Sequence, residues 1–209
     1  MKTALSVAGQ SEEPNDTKMT WTIEDAEKIY NISRWGDGFF GVNVSGHMVV
    51  RPHGKDEPAI DMFKVVEEMK ERGLSFPAVI RFHDVLRSKV RILNQAFRDI
   101  MDEADYEGRY MGVFPVKVNQ MREVVEEIAD AGRNYDYGLE AGSKSELLAV
   151  LSLNNNRNAL TILNGYKDRD YLRLALMGIE TSRTRISVIE KSCEVMPVIE
   201  LAKDMEVLP

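Results

Sequence analysis

Lys117 lies in the run YMGVFPVKVNQ at 110–120, a stretch that is otherwise composed like the interior of a β-strand. Alternation with period two puts Met111, Val113, Pro115, Lys117 and Asn119 on one face, and Gly112, Phe114, Val116 and Val118 on the other. Desolvating an ammonium is costly, so a lysine buried in such a strand either meets a carboxylate or gives up its proton and becomes a usable amine. Only the neutral amine attacks an aldehyde, which is the first requirement of Schiff-base chemistry. The same spacing also fits a lysine near a strand end that snorkels to water.

Two further segments carry polar groups at strand ends. In YGLEAGSKSELL at 137–148 a strand passes through Gly142-Ser143 into a helix that begins near Lys144. Ser143 or Ser145 can cap that helix, and Glu146 then falls in the first turn, where a carboxylate suits the helix dipole. Glu140 closes the strand; it either pairs with the Lys117 amine or a cationic substrate, or is a solvated loop acid. In LTILNGYKD at 160–168, Asn164 and Gly165 sit at the C-terminal end of another strand, where active sites of parallel α/β barrels are built. Turn chemistry alone also accounts for an Asn-Gly pair.

The elements that must position these groups alternate strictly. PAVIRF, YMGVFPVKV, YDYGLEAG, ALTILNGYK and RISVIEK read as strands, each followed by a helical segment, with Gly132 and Gly178 where two helices should stop. Such alternation predicts parallel strands joined by crossover helices, an α/β sheet or barrel. Four or five such units are a portion of an eight-fold barrel of about 250 residues, so we expect a barrel that is incomplete in this chain and a sequence that is part of a longer protein. Upstream, residues 1–19 have no hydrophobic period and are expected to be a disordered leader. Residues 20–76 are expected to form an N-terminal helix, with Thr22 as N-cap and Asp25 as a first-turn acid, and a small β element in which Ser45-Gly46 separates two short strands. Residues 77–209 are the expected partial barrel.

Composition narrows the function classes. The formal net charge is −7 with a pI near 5.1 and no basic block, which argues against nucleic acid as a partner. No stretch approaches the roughly 20 apolar residues that span a bilayer, so we expect neither membrane association nor export, and a cytoplasmic location. Cys193 is the only cysteine, expected to be a semi-buried thiol, and the three histidines, His47, His53 and His83, lack metal-site spacing. No metal ligand is assigned.

WTIEDAEKIYNISRWGDGFFGVN at 21–43, GVFPVKVNQMREVVE at 112–126, YGLEAGSKSELL at 137–148 and ILNGYKDRDYLRLALMG at 162–178 together resemble the biosynthetic arginine decarboxylases. These are a branch of the fold-type III pyridoxal-phosphate enzymes, whose barrel is of the alanine racemase and ornithine decarboxylase type. The resemblance covers about residues 20–207. It implies that Lys117 forms the Schiff base with pyridoxal 5'-phosphate, and that Glu140, Ser143, Glu146 and Asn164 are candidates for the cofactor's surroundings. It implies decarboxylation of L-arginine to agmatine in polyamine biosynthesis, an association with magnesium, and a homo-oligomer with sites at subunit interfaces. The family's phosphate-binding loop, pyridine-nitrogen acid and catalytic cysteine have no counterpart in these 209 residues, so this segment by itself is expected to be inactive. A sister decarboxylase of another basic amino acid, ornithine or diaminopimelate, and a non-catalytic relative that binds partners or the cofactor are the alternatives.

Overall fold

The computed structural model describes residues 21–55, 58–178 and 185–207, so the expected leader lies outside the described residues. The chain enters through a capping box. Thr22 Oγ1 accepts the Asp25 N–H at 3.1 Å while the Asp25 carboxylate accepts the Thr22 N–H at 3.0 Å, which starts α1 (Ile23–Ile29). The helix does not run on through Ile32. Tyr30 ends it, Asn31 adopts a left-handed conformation with φ 52°, and α2 (Ile32–Gly36) begins anew.

The expected hairpin is present: β1 (Phe40–Val42) pairs antiparallel with β2 (Met48–Val50). Asn43 Oδ1 accepts the N–H groups of Ser45 and His47, and Gly46 supplies the positive φ that closes the turn. Two elements escaped the sequence reading, β3 (Ile60–Asp61) and α3 (Met62–Glu71). Asp61 joins them to the hairpin. Its carboxylate meets His47 Nδ1 at 2.9 Å and accepts from Asn43 Nδ2 and the Phe63 N–H, each also at 2.9 Å. The His47 contact, more than the backbone bonds, holds the Asp61 carboxyl below the usual carboxylate range.

Residues 77–82, expected to be a strand, form no ladder with any described strand. Strand-like composition does not make a strand without a hydrogen-bonded neighbour. They lead into α4 (His83–Glu103), whose Ser88 Oγ donates to the Pro52 carbonyl at 3.0 Å and fastens the β element to the helix.

The expected alternation then holds. β4 (Val113–Pro115), α5 (Arg122–Ala131), β5 (Gly138–Ala141), α6 (Lys144–Leu153), β6 (Thr161–Leu163), α7 (Arg169–Met177), β7 (Arg185–Ser187) and α8 (Val195–Asp204) follow in turn. The four strands form one parallel sheet in the order β4-β5-β6-β7. A sequential order without reversal is that of a barrel wall; a doubly wound sheet reverses at its switch point. Gly132 and Gly178 take the C-cap positions of α5 and α7, as expected.

One apolar core holds the sheet to its helices: Val116, Val125, Leu139, Ala141, Leu147, Val150, Leu163, Tyr171 and Ala175 are all buried. Leu139 has no exposed surface, and removing its side-chain atoms leaves a cavity between β5 and the helices. Leu139→Ala is expected to cost about 2–5 kcal/mol, read as a fall in the urea midpoint at unchanged slope.

Candidate functional site

Lys117 departs from the alternation read in the sequence. β4 ends at Pro115, and residues 116–118 form a single 3-10 turn closed by the Asn119 N–H on the Val116 carbonyl at 3.1 Å. Proline lacks the N–H that would extend the ladder, so the strand stops and the chain turns. Val116 goes into the core while Lys117 projects with 61% of its side chain exposed. The buried strand lysine is therefore corrected to a strand-end lysine that reaches water, the second of the two readings its spacing allowed.

Glu140 is where pairing with Lys117 requires it. It stands opposite Pro115 in the β4–β5 ladder, its side chain 17% exposed, and its Oε1 lies 3.8 Å from Lys117 Nζ. That is ion-pair range and too long for a hydrogen bond. The amine is thus open to solvent on one side and faces a half-buried carboxylate on the other.

Behind Glu140 the chain turns into α6, and the expected cap is Ser143, whose Oγ accepts the Glu146 N–H at 3.3 Å. Glu146 lies in the first turn as expected, but its carboxylate reaches one residue further back than in a standard capping box. It accepts the Gly142 N–H at 2.8 Å and meets Gln120 Nε2 at 3.4 Å, so it fixes both the β5–α6 turn and the turn that follows Lys117.

Asn164 follows β6, and its N–H bonds the Ala141 carbonyl at 2.9 Å, which places it beside the end of β5. Gly165 is a required glycine. It has φ +77°, and an ideal Cβ there would lie 2.4 Å from the Gly142 carbonyl oxygen. The two loops touch backbone to backbone.

Four residues at this edge were not singled out in the sequence. Tyr171 is buried, and its hydroxyl donates to the Ala141 carbonyl at 2.7 Å with the Asn164 carbonyl at 3.4 Å, tying the ends of β5 and β6. Burial, followed by the nearby carboxylates of Glu146, Glu140 and Glu190, pushes its pKa far above the usual tyrosine value, so it stays a donor. Lys167 and Glu194 form a buried pair, Nζ to Oε2 3.5 Å. Glu190 accepts the Gly165 N–H. No local pattern in YKDRDY or IEKSCE marks these residues, because each has a main partner more than twenty positions away: Ala141 for Tyr171, Gly165 for Glu190, and Lys167 and Glu194 for one another.

Burial works against the charge of Glu194, but N–H donation from Lys167 (3.1 Å) and Glu190 (3.2 Å), together with the Lys167 ammonium, outweighs it and holds the carboxyl below its ordinary 4.5. Cys193 is exposed, where a semi-buried thiol was expected, because it lies in the surface turn Ser192–Glu194 ahead of α8. His47 and His83 meet acids, Asp61 at 2.9 Å and Glu127 at 3.6 Å. Among the described residues no group of three or more His, Cys, Asp or Glu side chains is placed to hold a metal ion.

Parallel strands with an exposed lysine at their C-terminal edge suit a class of enzymes, and residues 89–208 match the family model for the pyridoxal-dependent decarboxylases, pyridoxal binding domain. The chain belongs to that family. Among its relatives, the biosynthetic arginine decarboxylase of Prochlorococcus marinus (strain MIT 9303) is 41% identical over 94% of this chain and 30% of its own length. That of Gloeobacter violaceus is 44% identical over 90% of this chain and 29% of its own. The crystal structure of the biosynthetic arginine decarboxylase from Campylobacter jejuni superposes with a TM-score of 0.78 at 30% identity, covering 84% of this chain and 29% of that one. The likeness establishes the fold as part of a barrel of that type. The chain spans about 30% of the length of the curated relatives it matches.

Two measurements test this geometry. Gly165→Ala must place a side chain against the Gly142 carbonyl at positive φ, and is expected to lower the melting temperature by more than about 4 °C. Glu194, with its folded pKa depressed, contributes stability that is present above its ordinary value of 4.5 and lost as pH falls through the lower folded value. Glu194→Gln is expected to flatten that part of the acid limb, seen in urea midpoints collected as pH is lowered through this window.

Proposed function

We propose that the protein is a pyridoxal-phosphate-dependent decarboxylase that converts L-arginine to agmatine and carbon dioxide in polyamine biosynthesis, with Lys117 as the Schiff-base lysine. One observation carries the reading: a solvent-accessible primary amine on a core-anchored turn at the C-terminal edge of a parallel sheet, 3.8 Å from a half-buried carboxylate. An aldehyde cofactor needs such an amine, held in place and open to approach, and Lys117 with Glu140 beside it meets that need. When bound, pyridoxal phosphate supplies the electron sink for the pair of electrons left at the substrate's α-carbon on loss of carbon dioxide.

The chain's own residues do the rest. Val116 seats the turn, so the Lys117 amine approaches from a fixed point. Glu140 attracts the Lys117 side chain across 3.8 Å and so orients it at the strand ends. Glu140, Ser143, Glu146 and Asn164 form the surroundings of the cofactor, Glu146 by holding the Gly142 and Gln120 turns at their distances from Lys117. Glu140, Glu146 and Glu190, all close enough to act on Tyr171, make the rim acidic, which favours a cationic substrate over an anionic one.

The names of the relatives specify arginine among such substrates. The magnesium implied by the resemblance has no ligand cluster among the described residues, and the chemistry above does not run through it. No helix among the described residues is long and apolar enough to cross a membrane. We take the cytoplasm as the place of action, a homo-oligomer as the working form, and residues 20–76 as a unit separate from the barrel portion.

The test uses the protein as its gene encodes it. Incubation with pyridoxal phosphate, reduction with borohydride and peptide mapping is expected to place the adduct on Lys117, with agmatine formed from L-arginine in parallel. Lys117→Ala is expected to lower turnover by about a thousandfold or more. Labelling elsewhere, or turnover of ornithine or diaminopimelate in preference to arginine, would sink this assignment.

A further inference from the structure

Lys167 and Glu194 are charged side chains with 0% and 3% exposure, 27 positions apart, one in the β6–α7 loop and the other at the start of α8. A buried ion pair is a poor way to gain stability, since two apolar side chains of similar volume commonly hold a fold as well or better. What such a pair does supply is direction, and here nearly every partner is a backbone atom at the edge of the candidate site. Lys167 Nζ donates to the Gly165 carbonyl. Glu194 Oε1 accepts the Lys167 N–H at 3.1 Å, and Oε2 accepts the Glu190 N–H at 3.2 Å.

The Glu190 carboxylate in turn accepts the Gly165 N–H, so both polar backbone atoms of Gly165 are held from the same cluster. Gly165 abuts the Gly142 carbonyl, and the next N–H along, that of Asn164, bonds Ala141, the residue after Glu140. A continuous series of contacts therefore runs from the buried pair to the end of the strand that carries Glu140, whose carboxylate faces Lys117.

We propose that the buried Lys167–Glu194 pair is a positioning device for the cofactor site: it locks the β6–α7 and β7–α8 loops together, with Glu190 as the outer tie, so that Gly165 fixes the Gly142 turn and the end of the Glu140 strand. This rests on the reading of Lys117 as the cofactor lysine. Neither Lys167 nor Glu194 touches Lys117; they act through Gly165. Because a displacement of about 1 Å at such a shell weakens a site without unfolding it, the effect falls on cofactor affinity.

The experiment compares Lys167→Met, Glu194→Gln, the double variant Lys167→Met/Glu194→Gln and Glu190→Ala with the wild type, all as the protein its gene encodes. Each is read by melting temperature without cofactor and by titration with pyridoxal phosphate, followed by Schiff-base absorbance and borohydride labelling of Lys117. Each single change at the pair strands a buried charge, or removes one, and is expected to lower the melting temperature by about 4 °C or more. The double variant strands none and is expected to recover most of that loss, yet to bind pyridoxal phosphate about tenfold more weakly, because the grip on Gly165 is gone.

Recovery of both stability and affinity in the double variant makes the pair a structural ion pair only and overturns the proposal. Glu190→Ala is exposed and reports even where the buried variants do not fold. A severalfold loss of affinity at an unchanged melting temperature supports the proposal, and wild-type affinity overturns it. A wild type that takes up no pyridoxal phosphate on Lys117 removes the parent reading and this one with it, an outcome distinct from a wild type that labels and a double variant that labels equally well.

Discussion

The parallel ladder of β4 to β7 is the constraint on which the rest depends. Pro115, Glu140, Ile162 and Ile186 stand side by side in one row across it, so the C-terminal ends of all four strands open on the same edge. The crossover helices make that edge possible, because each returns the chain to the opposite end before the next strand begins. Lys117, Glu140, Gly142, Asn164 and Gly165 come from three separate strand ends and meet there without any one loop having to reach far.

Once assembled, the edge is held mainly by groups that take no direct part in binding an amine. Tyr171 ties two carbonyls from beneath, Glu146 gathers two turns, and Gly165 seats against Gly142. The amine itself is anchored only through its neighbour, Val116, which is in the core while Lys117 is in solvent. That division lets the lysine side chain keep its freedom at χ angles while its backbone is fixed.

Much of this was legible in the residues. The strand-helix alternation of 110–207, the stops at Gly132 and Gly178, the hairpin around Ser45-Gly46 and the caps at Thr22 and Ser143 follow from short-range patterns, and the structure has them; of the two readings open for Glu140, it has the one that faces Lys117. The failures have physical causes. Residues 77–82 have the composition of a strand, but a strand is defined by its neighbour, and composition does not specify one. The face assigned to Lys117 overlooked what Pro115 does to a ladder. Ile60–Asp61 was too short to register as a strand, and Lys167, Glu190, Glu194 and Tyr171 acquire their roles from partners far along the chain.

Three successive helices at this edge begin beside a carboxylate of the chain's own. Glu146 lies in the first turn of α6, Asp168 accepts the Tyr171 N–H at the start of α7, and Glu194 occupies the N-cap position of α8. Helix N-termini are where folds of this kind ordinarily seat a phosphate, through bare N–H groups and a positive dipole end. Here a carboxylate already stands at each terminus, and two of the three are themselves paired with lysines, Asp168 with Lys144 and Glu194 with Lys167. These helix ends are therefore already spent on the chain's own loops: Glu146 on the Gly142 turn, Asp168 on the start of α7, and Glu194 on the backbone at Lys167 and Glu190.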